Sequence, residues 1–402
     1  MINLFIALLF ILIIFLALLI LINSVNSVNL SIYPHYTNYK NGGNKLTYSL
    51  KADSGLNYSI LRGILSPSFE EKGMNTPYVD LSWGEIFHVV KNGRPTVEYP
   101  PEFIKQRANL KFLLQSDELK KLTEKANLIK YFKDKEFLPK SYHLSEFIPI
   151  ARALLTGAPY IVKTNKGYQQ MGVKIITSYE QLMKAKEQFG TNCIVSEYIT
   201  NTMLSHGKKF HLRPYFLLYA NADGVKKVFT FQHYRMITAK KMYCKDSFSD
   251  EEIHMSGGHH TDRLLFPEET DIPKHLVDKA LLSLKECTDA VERNLLSMDL
   301  KPYPESKAGF QVICADLLVN DEGRAFILEI NRRCGFSYGT AYKDNYGTAY
   351  KDNYGTAYKD NYGNEKKRWE KMNQIFSTNF FKWVCKKVIF PHFHISICSE
   401  DK

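Results

Sequence analysis

No two of the chain's seven cysteines form a CxxC pair, and their scatter over positions 193, 244, 287, 314, 334, 385 and 398 argues against a disulfide scaffold or a cysteine-built zinc site. They read as reduced thiols of a cytosolic domain, with Cys193 and Cys314 set in apolar strands as core residues. No nucleic-acid motif accompanies the formal charge of +11, so the basic balance points to an anionic protein partner, an anionic membrane surface or solubility rather than to nucleic acid. Neither Lys nor Arg precedes the one long apolar run, Leu4 to Ile22, so the basic leader of a secretory signal is missing.

That run holds nineteen consecutive apolar residues. At about 1.5 Å per residue it spans most of a roughly 30 Å hydrocarbon core. An uncleaved single-pass anchor over 1–23 is expected, followed by a tether over 24–55 rich in Asn, Ser, Tyr and Gly. Lys40, Lys45 and Lys51 follow the segment, which places the body on the cytoplasmic side of a membrane. Asn29-Leu-Ser31 and Asn57-Tyr-Ser59 would be glycosylation acceptors only in a lumen.

The densest chemistry lies near the C-terminal third. Phe310-Gln-Val-Ile-Cys-Ala-Asp316-Leu-Leu-Val, the turn Asn320-Asp-Glu-Gly323 and Ala325-Phe-Ile-Leu-Glu329-Ile-Asn331 predict a hairpin that sets Asp316 opposite Glu329. Glu329 and Asn331 are two residues apart and share a strand face, and hard oxygen donors of this kind suit Mg2+ carrying phosphates. The competing reading is an acidic hairpin facing water.

Upstream, Pro159-Tyr-Ile-Val-Lys163 is an apolar strand that runs into a loop containing Gly167 and Gly172. A lysine there can reach phosphate oxygens, although the glycine spacing differs from that of the commoner phosphate loops. Cys193-Ile-Val-Ser-Glu197-Tyr198-Ile199 is a second buried strand, whose end could supply backbone groups to an adenine ring. In Lys208-Lys209-Phe-His211-Leu-Arg213 the period-2 alternation puts Lys209, His211 and Arg213 on one face. A solvated charged face is the alternative there.

Taken in order, these motifs, together with Tyr234-Arg235 and His259-His-Thr261-Asp262, resemble the tubulin-tyrosine ligase family of ATP-grasp enzymes. Tyr78-Val-Asp80-Leu-Ser-Trp83 is similar to that family's Asp-Leu-x-Trp segment. Leu122-Thr-Glu-Lys125-Ala-Asn127 and Pro139-Lys-Ser-Tyr142 extend the likeness, which covers roughly residues 60 to 335. His211 stands where the family usually has Asp, and Asp262 where it has Asn.

The resemblance implies an α/β (α+β) ATP-grasp fold with a smaller N-terminal α/β domain over 56–145, a ligase domain over 146–337 and the transmembrane helix in front. It also implies an ATP-dependent carboxylate–amine ligase acting through an acyl phosphate, with ATP and Mg2+ as cofactors. Lys163 and Lys209 would hold ATP phosphates or adenine edges beside Gly167, Gly172 and His211, and Glu197, Tyr198 and Ile199 would line the adenine pocket. Arg213 and Arg235, with Lys209, would serve catalysis at the γ-phosphate and acyl phosphate. Asp316, Glu329 and Asn331 would ligate one or two Mg2+, and Thr261 and Asp262 would meet ribose or an incoming free amino acid. The implied acceptor is an acidic protein or peptide tail such as that of tubulin. The alternatives are a catalytically inactive, nucleotide-binding membrane adaptor and a ligase for a small peptide.

Residues 338–363 carry a tandem octapeptide, Tyr-Gly-Thr-Ala-Tyr-Lys-Asp-Asn, too short a unit to build a packed core. Beyond it, over 364–402, the spacing from Lys366 to Val388 predicts a helix with Trp369, Met372, Ile375 and Phe376 on its buried face, closing the nucleotide domain.

Overall fold

The computed structural model describes residues 45–51, 56–73, 75–84, 87–91, 94–98, 101–132, 135–165, 172–256, 263–332, 334 and 375–395. The apolar run at 4–22, Gly167, Thr261, Asp262 and the octapeptide segment 338–363 lie outside these residues. Among the described residues no helix is long and apolar enough to cross a membrane.

In chain order the first elements are β1 (Leu46–Lys51), α1 (Leu56–Leu65), β2 (Phe69–Glu71), β3 (Tyr78–Gly84), the hairpin β4 and β5 (Phe87–Lys91, Arg94–Glu98), α2 (Pro101–Lys105), β6 (Arg107–Lys111), β7 (Leu114–Gln115), α3 (Asp117–Leu122) and α4 (Lys125–Tyr131). The middle of the chain gives β8 (Ser141–His143), α5 (Leu144–Phe147), α6 (Ala151–Leu154), β9 (Tyr160–Thr164), β10 (Val173–Ile176), α7 (Tyr179–Phe189) and β11 (Cys193–Glu197). Last come β12 (Leu204–Ser205), β13 (Lys208–Asn221), β14 (Lys226–Thr238), α8 (Glu251–His254), β15 (Arg263–Phe266), α9 (Lys274–Leu296), β16 (Lys301–Pro302), β17 (Ser306–Val319) and β18 (Ala325–Asn331). A helix over 375–384, α10, runs on into a π turn, Cys385–Ile389.

Two main sheets result. The larger runs β15-β14-β13-β17-β6-β3-β1-β2, with β18 on β17 and β12 on β13, and the smaller runs β10-β9-β11-β8. The α+β mixture expected from the sequence is thus present, but the part before residue 145 and the part after it share one continuous sheet. They join where β17 pairs in parallel with β6, with Gly309 opposite Lys111. Gly309 is needed at this seam, because a Cβ there would lie 2.5 Å from the Leu113 carbonyl oxygen. Leu46–Lys51, which its composition placed in the tether, is β1 and sits between β2 and β3, because Tyr48 and Leu50 supply apolar side chains to the core.

Each face of the large sheet is covered. The 23-residue α9 lays Val277, Ala280, Leu284, Cys287, Ala290, Val291 and Leu295 along one stripe at helical spacing and packs them on Phe210, Leu212, Phe216 and Leu317. The other face packs Tyr215, Leu217, Phe310, Val312 and Cys314 against α1 and α10. Trp83 from β3 is fully buried there, stacked on Phe112 at 4.7 Å and edge-on to Phe310 and Phe381. The C-terminal helix does close the domain, through Phe376, Phe380, Phe381 and Val384. Ile375, expected on the buried side, is instead 41% exposed; Phe376 and Phe380, four residues apart, define the stripe. The small sheet has its own core, in which α5, α6 and α7 cover Tyr160, Val162, Ile176 and Val195.

Candidate functional site

The alternation read from Lys209 to Arg213 holds in β13. Phe210 and Leu212 turn into the α9 core, and Lys209, His211 and Arg213 turn to the opposite face, continuous with Tyr215 and Leu217. That face is not a solvated one, since Lys209 is 6% and His211 5% exposed. β14 sets Arg235 directly across from Arg213, and Arg235 is buried with its guanidinium 5.9 Å from the Phe376 ring.

On the other side of β13, β17 and β18 deliver the acidic groups. The turn forms as read, with the Asn320 N–H donating to the Arg324 carbonyl and Gly323 at a φ of +87°, and the register puts Asp316 opposite Glu329. The Asn331 Nδ2 amide donates to Glu329 Oε1 at 2.9 Å and lies 3.4 Å from Asp316 Oδ2, so the three predicted oxygen-bearing side chains converge. Asp316 is buried, which rules out a water-facing acidic hairpin.

Asp316 is also the electrostatic centre. Arg213 donates to both of its carboxylate oxygens, Nε to Oδ1 at 2.7 Å and Nη2 to Oδ2 at 2.9 Å, and His211 Nε2 lies 3.6 Å from Oδ1. Burial raises the carboxyl pKa, but the Arg213 and His211 charges more than offset it and hold Asp316 well below the usual carboxylate range.

The small sheet contributes one cation, Lys163. Burial lowers the Lys163 ammonium on β9 to about 8, with Glu329 and Asp316 drawing it back up and Lys125 pushing it further down. Burial and the neighbouring Lys163 bring Lys209 to about 7. Lys163 thus feels both the acidic pair and Lys209. Gly172 closes the β9–β10 turn at a φ of +77°, where a Cβ would lie 2.3 Å from Thr164 Oγ1. At the end of β11, Tyr198 is buried and Glu197 and Ile199 are half-buried; the Glu197 and Tyr198 N–H groups donate to the carbonyls of Lys140 and Pro159.

Two participants escaped the sequence reading. Lys125 opens α4 with its Nζ 3.5 Å from Glu329 Oε2 and a side chain only 9% exposed. Lys125 lies in a motif that resembles the family's, but nothing in the polar stretch 120–127 singles out which lysine turns inward. His254, in the short α8, contacts the Tyr198 hydroxyl at 2.8 Å. It carries no periodic signal.

The donor set fits a hard divalent cation. Arg213 engages each Asp316 oxygen once, which leaves lone pairs on both, and Glu329 and Asn331 add further oxygens beside them. Among the described residues no cluster of three His, Cys, Asp or Glu is placed to hold a metal; this set is completed by an amide.

A family model described as the tubulin-tyrosine ligase family matches residues 95–264, less than half of the chain. The matched stretch contains Lys125, Lys163, Glu197, Lys209, Arg213 and Arg235, and Asp316, Glu329 and Asn331 lie beyond it. No curated protein matches the chain.

Proposed function

We propose that the protein is an ATP-dependent carboxylate–amine ligase that joins an amino acid to a carboxylate of an acidic protein or peptide, tethered to a membrane by residues 4–22. The observation that carries this reading is the junction of Asp316, Glu329 and Asn331 with Arg213 and Arg235 on adjacent strands, beside buried Lys209 on β13 and half-buried Lys163 on β9. The match to a ligase family over 95–264 supports it independently, and the nineteen-residue apolar run supports the anchor.

In this reading the two lysines bind nucleotide phosphates. A site already holding several cations at the cost of lowered lysine pKa values is matched to a polyanion, whose arrival restores their full charge. Lys125 joins them from the Glu329 side. Mg2+ bound at Asp316, Glu329 and Asn331 would neutralise charge on the transferring phosphoryl group. The acceptor carboxylate oxygen attacks the γ-phosphorus and ADP leaves. The amine nitrogen then attacks the acyl carbon, phosphate departs, and the amine loses its proton. Arg213 and Arg235 face the transferring group and stabilise its charge.

ADP release by the full chain with Mg-ATP, mixed amino acids and a glutamate-rich peptide tests the proposal. Turnover that requires the peptide and falls at least a hundredfold in Glu329→Gln is expected. ATP binding without turnover over a broad acceptor set would overturn it in favour of an adaptor.

A further inference from the structure

The segment between β14 and β15 supplies polar partners to β13 side chains that its own sheet does not. Ser256 bridges to Ala239 at the end of β14 and brings its Oγ to 2.6 Å from His211 Nδ1. Two residues earlier, His254 is 2% exposed and sits in an aromatic box. Phe248 stacks on it at 5.3 Å, and Tyr198 and Tyr243 meet it edge-on at 5.6 Å each.

The hydrogen bonds inside the box run in one direction. The Lys209 Nζ lies 2.7 Å from the Tyr198 hydroxyl oxygen, which lies 2.8 Å from His254 Nδ1. In its charged form Lys209 can only donate, so the Tyr198 oxygen then accepts from it, and the hydroxyl hydrogen is free to turn to His254 Nδ1. In that arrangement Nδ1 accepts and His254 is the neutral tautomer protonated at Nε2, a nitrogen with no hydrogen-bond partner among the described residues. Burial, which lowers the His254 pKa, favours that neutral form. Also facing this chain are the Ser247 backbone and Asp250 beside His254, Lys163 on β9, which repels Lys209, and Tyr243, whose hydroxyl donates to the Thr200 carbonyl at 2.7 Å and whose oxygen is a second acceptor beside Tyr198.

We propose that His254 is a positioning residue of the nucleotide site. Acting through the Tyr198 hydroxyl, it fixes the Lys209 ammonium in the orientation that meets the ligand. This rests on the ligase reading only in taking the ligand to be ATP. Lys209 is a flexible four-carbon stem carrying a point charge, repelled by Lys163, and without a fixed acceptor it would swing away from the site. His254 orients that acceptor.

A double-mutant cycle on the full chain tests this, with the Kd of Mg-ATP measured by calorimetry. His254→Ala is expected to weaken binding about tenfold, roughly 1.4 kcal/mol, and His254→Asn, which keeps an acceptor near the Nδ1 position, to stay within about threefold of wild type. In a Lys209→Met background His254→Ala should change the Kd less than twofold. An equal loss in both backgrounds would mean that His254 merely supports the fold, and would overturn the proposal. So would a loss in Tyr243→Phe with none in His254→Ala. Wild type that binds ATP beside an unaffected His254→Ala overturns only this inference, whereas wild type that binds no nucleotide overturns the ligase reading with it.

Discussion

Replacing Asp316 by Asn removes one charge and little volume, and the structure sets the size of the effect. Asp316 loses one of two charge-assisted hydrogen bonds from Arg213 and its attraction to His211, and Arg213 is left with half of its partner. Breaking a fully buried pair costs about 3–5 kcal/mol. Here the Asp316 side chain is 9% exposed and the Arg213 side chain 22%, so solvent recovers part of the loss, and about 2–3 kcal/mol is expected. In urea this lowers the unfolding midpoint by on the order of 1 M.

The pH dependence has a defined sign. A carboxyl held below its ordinary pKa contributes stability that is fully present above the unfolded value, about 3.9, and is lost as pH falls through the folded value. The gap between wild type and Asp316→Asn should therefore stay constant from pH 8 to about 5 and close below about 4. Because the pair is shielded, 1 M NaCl should leave most of the gap in place. As a control, Lys274→Met breaks an exposed pair with Asp278 and should cost less than about 0.5 kcal/mol. An Asp316→Asn midpoint equal to that of the control would refute the reasoning.

Lys209 has its pKa lowered in the fold, to about 7, so the unfolded chain binds more protons between that value and about 10.4, and stability rises with pH across this window. Lys209→Met should accordingly stabilise the fold and raise the urea midpoint at pH 7 while weakening ATP binding, and the gain should vanish near pH 10. The Trp83 ring is buried among Phe112, Phe310 and Phe381 while its indole N–H finds no acceptor among the described residues, so Trp83→Phe should cost under about 1.5 kcal/mol and Trp83→Ala about 3–5, read by thermal unfolding. Gly172→Ala combines a positive φ with a Cβ clash on Thr164 and should lower stability by at least about 1 kcal/mol and weaken ATP binding, measured by calorimetry.

What the sequence disclosed and what it withheld divide along locality. The hairpin carrying Asp316, Glu329 and Asn331 was legible because turn residues fix its register within sixteen positions, and the face of Lys209, His211 and Arg213 because alternation fixes it within five. The Arg213–Asp316 pair spans 103 residues, and the contact of His254 with Tyr198 spans 56. No periodicity encodes either one; sheet order and packing do. The same holds for β1, whose few apolar residues resemble a tether until β2 and β3 flank it. The apolar spacing of 366–388 pointed to the helix and to Phe376 on its buried face, but Ile375 is exposed, and Trp369 and Met372 lie outside the described residues.

β17 belongs to two neighbourhoods at once. Near its start Ser306, Ala308 and Gly309 are bonded to β6, and near its end Asp316 faces Glu329. Roughly 24 Å of continuous strand, at about 3.4 Å per residue, links the two. The N-terminal strands and the acidic end of the site therefore behave as a single stiff girder, and no hinge can open between them without tearing ladder bonds. The four strands that carry Lys163 have a core of their own and no strand pairing with this girder among the described residues, so a displacement between the two would break none of its ladder bonds.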